Sequence, residues 1–124
     1  MIILAPISVG ELVDKITILE LKLAHATDPR ALEHVQHELD QLLLLLEQHQ
    51  LVDKVAELRV HLKDINAQLW DTESFKRRCE REQTFLDGFV VAARNVYIKN
   101  DVRARIKRQI NDLCDSSIVE EKIY

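Results

Sequence analysis

Apolar residues recur along this chain at intervals of three and four, the spacing that lines up one face of an α-helix. Leu12, Ile16, Leu19 and Leu23 make the first such set, and Val13, Ile18 and Leu21 widen it, so its helix is expected to be contacted on more than one side. Ser8 stands three residues before Glu11, the spacing of a capping box, and Ile7 stands five before Leu12, the spacing of a hydrophobic staple. A helix from Val9 follows. Ahead of it, Ile2, Ile3 and Leu4 form a short β-capable stretch closed by Pro6.

Asp28 followed by Pro29 marks a second start, because proline suits the first helical position and disfavours a helical residue before it. Leu32, Val35, Leu39, Leu42 and Leu46 then give one seam. After the polar interval Glu47 to Gln50, Leu51, Val55, Leu58, Leu62, Ile65 and Leu69 give another, shifted in phase. The shift predicts an antiparallel hairpin turning near His49; with no Gly or Pro to enforce the reversal, one long helix with a stutter is the alternative. Thr84 to Gly88 interrupts the rhythm. Phe89, Ala92, Val96, Val102, Ile106, Ile110 and Leu113 carry a last helix, with a potential break at Asn100-Asp101. Beyond Ser116-Ser117, the segment Ile118 to Tyr124 is too short for more than a turn. It could extend and pair with Ile2 to Leu4, and the sequence leaves open whether it docks on the basic helix through Glu120 and Glu121. The expected fold is all-α: an antiparallel bundle of about four or five helices with a long central helical hairpin and short non-helical termini, residues 1–124 forming a single domain.

Composition agrees. Two Gly and two Pro in 124 residues leave too little turn chemistry for a many-stranded β fold. A net charge of −4 excludes a uniformly basic nucleic-acid coat while leaving local patches open. Cys79 and Cys114 form neither a CxxC pair nor a disulfide framework, which points to a reducing, cytoplasmic setting. The MIILAPIS start lacks the basic region and cleavage site of a signal peptide and is expected to stay in the mature protein. The longest aliphatic run, Leu42 to Leu46, falls far short of a membrane span of roughly 20 residues.

Candidate chemistry concentrates in the second half, where all six aromatic residues fall from Trp70 onward. Between Arg94 and Arg108 lie Arg94, Lys99, Arg103, Arg105, Lys107 and Arg108 against the single acid Asp101, an excess that attracts anions. In a helix, Arg94, Tyr97, Asp101, Arg105 and Arg108 share a face, bringing guanidinium forks beside a phenol. A plain solvated helix face is the alternative. A second stripe, Arg59, Lys63, Asn66, Trp70, Glu73 and Arg77, sets one aromatic among polar groups. It either packs, with Asn66 bonding across helices, or walls a polar pocket with Tyr97 in which Arg94 or Arg105 holds an anion.

Other constellations carry less. His34 and His37 lie three apart but turn away from the leucine seam, so no metal site is expected. Cys79, beside Arg77, Arg78 and Arg81, has no nearby histidine to mark it as a nucleophile. Glu11 and Asp14 form an acid–base pair only if burial perturbs them. No P-loop, GxGxxG, GxSxG or HExxH occurs, and no cofactor is expected. Leu43, Leu44 and Leu45 exceed what the seam uses and call for a covering helix, from the first helix or a second copy in a homo-oligomer.

Four separated stretches, PISVGELVDKITILELK, the LWD at Leu69 to Asp71, RNVYIKNDVRARIKRQIN and SSIVEEKIY, together resemble an uncharacterised bacterial domain family of unknown function. The resemblance implies a small, mostly helical, bacterial and cytoplasmic protein and carries over no catalytic residue. The residues themselves suggest an accessory or binding module with Asn66, Trp70, Arg94, Tyr97, Arg105 and Arg108 facing an anionic small molecule or protein partner. Nucleic acid is not the partner that this reading favours. An all-helical enzyme acting on an anionic metabolite and a purely structural oligomer are the alternatives.

Overall fold

The computed structural model describes residues 1–123. Its elements are α1 (Val9–His25), α2 (Pro29–Gln48), α3 (Ala56–Glu82) and α4 (Asp87–Leu113). There is no strand among the described residues, and the fold is an all-α bundle.

The starts follow local chemistry. The Ser8 hydroxyl accepts a hydrogen bond from the Glu11 amide at 3.1 Å, and the Asp28 carboxylate accepts one from the Ala31 amide at 3.1 Å with Pro29 opening α2. The stops are less ordinary. Gln50, Gln83 and Asp115 take left-handed conformations with φ of 56°, 54° and 50°. In each case the following amide bonds back to a carbonyl in the preceding helix: Leu51 to Leu46, Thr84 to Cys79 and Ser116 to Asn111. This is the helix-ending geometry that usually employs glycine, whereas both glycines here lie inside helices. The stop at Gln48 excludes the continuous helix with a stutter, and the turn near His49 forms.

The partnership across that turn differs from expectation. α2 and α3 make no close backbone approach; both pack on α1, and the close antiparallel pair is α3 with α4. α1 accounts for this with a broad apolar face, contributing Leu12, Val13, Ile16 and Leu19 to a core shared with Leu39, Leu46, Val55, Leu62, Ile65 and Ile110. The phase shift between the leucine seams therefore reflects two helices reading different sides of a third. α4 runs unbroken through Asn100-Asp101, so the potential break there does not occur. Leu43 packs against the core, while Leu44 and Leu45 stay exposed.

Among the described residues the two ends do not pair with each other. Ile2, Ile3 and Leu4 are exposed. The Ser116 hydroxyl instead accepts from the Val9 amide at 3.2 Å and donates to the Ile118 carbonyl at 2.7 Å, pinning the root of the C-terminal segment beside the start of α1. Tyr124 lies outside the described residues.

Candidate functional site

Asp14 and Thr17 interrupt the apolar face of α1 and are 1% and 0% exposed. A buried carboxylate needs compensation, and two of the three neighbouring helices, α3 and α4, supply it. From α4, Arg103 donates Nε to Oδ1 of Asp14 at 2.9 Å and Nη2 to Oδ2, the two-pronged geometry that suits a guanidinium. From α3, Asn66 donates Nδ2 to Oδ1 of Asp14 and to the Thr17 hydroxyl, both at 2.9 Å. The Thr17 hydroxyl in turn donates to the Asp14 carbonyl at 2.8 Å. Among the described residues no buried side-chain nitrogen or oxygen lacks a partner.

A second layer lies beside the first. Lys107, 8% exposed, donates to Glu11 of α1 at 2.8 Å and to Glu120 of the C-terminal segment at 2.7 Å. Here the helices nearly touch. The Gly10 amide donates to Oδ1 of Asn111 at 2.6 Å, and a Cβ on Gly10 would stand 2.5 Å from the Lys107 carbonyl oxygen, so only glycine admits this approach.

The electrostatics are directional. Burial by itself would raise the Asp14 carboxyl above its ordinary value, but hydrogen bonds from Arg103 and Asn66, and the charges of Arg103 and Lys107, outweigh burial and hold it below. For Arg103, the hydrogen bond to Asp14 leads the rise in its pKa against the opposing effect of burial. Burial opposes the charge on Lys107, yet Glu11 and Glu120 together hold its pKa above the usual lysine value. Glu11 and Asp14 are thus each matched to a cation, and the acid–base pairing of the two carboxylates is not what their burial builds.

Two clefts open beside this network. The first, about 480 Å³, lies among α1, α3 and α4 and is lined by Ile18, Leu21, Asn66, Leu69, Trp70, Glu73, Ser74, Arg77, Asn100 and Arg103. Trp70 is stacked on His25 with ring centroids 4.6 Å apart and planes inclined by 16°. The second, about 280 Å³, is lined by Tyr97, Asn100, Arg103, Ala104, Lys107, Glu120 and Lys122. Arg103 and Asn100 separate the two and border both.

The stripe on α3 meets α1 through its first four positions. Arg59 and Lys63 pair with Glu20 at 3.4 Å, Asn66 bonds across to Asp14 and Thr17, and Trp70 meets His25. Of the residues singled out from the sequence, Asn66 and Trp70 line the first cleft and Tyr97 the second. Arg94 and Arg105 are exposed and line neither of these clefts. Arg108 is paired with Asp112 and Glu121, each at 3.5 Å. The single convergence of Trp70, Arg94, Tyr97 and Arg105 is therefore replaced by a different set. The inward cations of α4 are Arg103 and Lys107, one face over, adjoining the apolar positions Val102, Ile106 and Ile110. That adjacency, with polar Asp14 and Thr17 inside the apolar stripe of α1, is the signal that marks them in the sequence. The C-terminal segment docks on α4, a question the sequence leaves open, with Glu120 on Lys107 and Glu121 on Arg108.

Other candidates fall away from these clefts. His34 and His37 line an open groove on α2, and no group of metal-ligating side chains converges among the described residues. Cys79 is buried, and Arg78 beside it lies over the Phe75 ring at 5.2 Å. No described helix is long and apolar enough to cross a membrane.

Residues 3–124 match the model of a family of unknown function, DUF6165, and the chain belongs to that family. It matches none of the curated proteins and none of the solved structures with which it was compared.

Proposed function

We propose that this member of DUF6165 is a binding module whose first cleft takes a small ligand with an anionic group and an apolar or ring portion. The observation that carries the reading is the meeting of Trp70, Arg77 and Arg103 around one solvent-open cleft floored by Ile18, Leu21 and Leu69. A ligand ring finds apolar walls there, and its anion finds guanidinium donors. Arg103 suits this role because Asp14 fixes its orientation while its side chain remains 30% exposed, so little ordering is lost on binding. The anion site thus moves inward from Arg94 and Arg105 to Arg77 and Arg103.

Binding is favoured over catalysis by the state of the nearby acids. Asp14 is held ionised by Arg103 and Asn66, and Glu73, the acid of the cleft, leans to Lys76 at 3.5 Å. A small ligand is favoured over nucleic acid because Arg77 and Arg103 converge on one cleft, whereas the exposed Arg94 and Arg105 lie outside it. The test uses 8-anilinonaphthalene-1-sulfonate, which joins aromatic rings to an anion, followed through the emission of the single tryptophan. The probe is expected to quench Trp70, and Arg77→Gln to weaken binding roughly three- to tenfold. Equal affinity in the two proteins, or no change at Trp70, refutes the reading.

The proposal extends to self-association through the exposed Leu44 and Leu45 of α2. Light scattering is expected to give a dimer that L44E/L45E converts to a monomer; a monomeric parent refutes this part.

A further inference from the structure

The second cleft contains an oxyanion of the protein's own. Glu120 places its carboxylate on Lys107 at 2.7 Å, inside a cleft also bordered by Tyr97 and Arg103. We propose that this cleft is a separate oxyanion site, that Glu120 is its resident occupant, and that a phosphate-bearing ligand binds by displacing the C-terminal segment. The assignment stands on the second cleft alone and does not depend on the ligand of the first.

Three observations support displacement. First, among the described residues the segment is tied to the start of α1 at its root, where the Ser116 hydroxyl joins Val9 to Ile118. Second, its outer contacts are ion pairs whose acids are open to water: Glu120 is 63% exposed, Glu121 67%, and the Asp101 that receives Lys122 is 54% exposed. Lys107 itself is buried, but each of these acids is reached by water, salt and competing anions. Third, Lys107 does not depend on Glu120 for its position. Glu11 holds it from the other side at 2.8 Å, so the ammonium stays in place when the segment leaves and offers the vacated direction to a new oxygen. Arg103, fixed by Asp14, stays in the same way. Lys107 and Arg103 thus remain side by side on α4, one turn apart, as phosphate donors.

Inorganic pyrophosphate is the probe, titrated by calorimetry and by amide NMR into the full chain, Glu120→Gln and Glu121→Gln. Glu120→Gln is expected to bind roughly two- to fivefold tighter than the parent, the range that loss of a competing pair with an exposed acid supports. Glu121→Gln changes the net charge equally and loosens the segment without freeing Lys107, and is expected to gain clearly less than Glu120→Gln. In the parent, saturation is expected to shift the amides of Tyr97 and Lys107 and to move those of 118–121 to unstructured values. Equal affinity for Glu120→Gln and the parent, an equal gain in Glu121→Gln, a segment that stays docked at saturation, or no binding overturns the proposal. The Trp70 indole resonance reports on the first cleft in the same spectra, so the two sites are judged separately.

Discussion

Replacing Asp14 with Asn tests whether the buried carboxylate holds the helices together. The substitution keeps the shape, removes the charge, and turns an amide donor toward groups that already donate, Asn66 and Arg103. Removing one partner of a buried ion pair costs about 3–5 kcal/mol. Arg103 is 30% exposed, so water takes up part of its stranded charge, and the expected loss falls to about 2–3 kcal/mol. With an unfolding entropy of about 2.1 cal/mol/K per residue over a chain of this length, that loss lowers Tm by about 8–12 °C. Urea denaturation followed by circular dichroism measures it, with a lower midpoint and unchanged slope as the expected pattern. In a double-mutant cycle, D14N and R103Q together are expected to cost clearly less than the sum of the two, because the second change removes the charge that the first left unpaired. A loss below about 1 kcal/mol for D14N, or additive effects, refutes the argument.

Four further outcomes follow from the same geometry. Because the Asp14 carboxyl sits below its ordinary value of 3.8 in the folded chain, the unfolded chain binds the proton first; the Asp14 contribution is complete above that value and is lost as pH falls through the folded pKa, so D14N is expected to flatten the acid limb of stability against pH. Gly10→Ala, which in an ordinary helix stabilises by about 1 kcal/mol, is expected here to destabilise by about 1–3 kcal/mol because its Cβ meets the Lys107 carbonyl; a raised Tm contradicts the close approach. Gln83→Gly is expected to stabilise by about 0.5–1 kcal/mol, relief of the left-handed backbone exceeding the added chain entropy, as thermal melts would register. Asn111→Ala is expected to cost about 1–3 kcal/mol by orphaning the Gly10 amide, readable as faster hydrogen exchange at Gly10.

The start of α1 was legible because its determinants are local: the Ser8 hydroxyl reaches an amide three residues on. The start of α2 was legible for the same reason at Asp28 and Pro29. The stops were harder, since Gln50, Gln83 and Asp115 take on a conformation that composition assigns to glycine, and only the packing on either side of each turn imposes it. On the basic helix, spacing correctly gathers Arg94, Tyr97, Arg105 and Arg108 on a face, yet spacing does not say which face turns inward. The inward one carries Arg103 and Lys107, displaced by one position from apolar Val102 and Ile106.

The sequence by itself therefore determined an all-helical chain, where α1 and α2 begin, and most of the apolar positions that form the core, because periodicity and capping act within a few residues. Only the tertiary structure decided that α1 lies against the other three helices, that Asp14 selects Arg103 and Asn66, and that Glu120 rests on Lys107. Those pairings join residues far apart along the chain, and their energies depend on desolvation and on distances that exist only once the helices have packed.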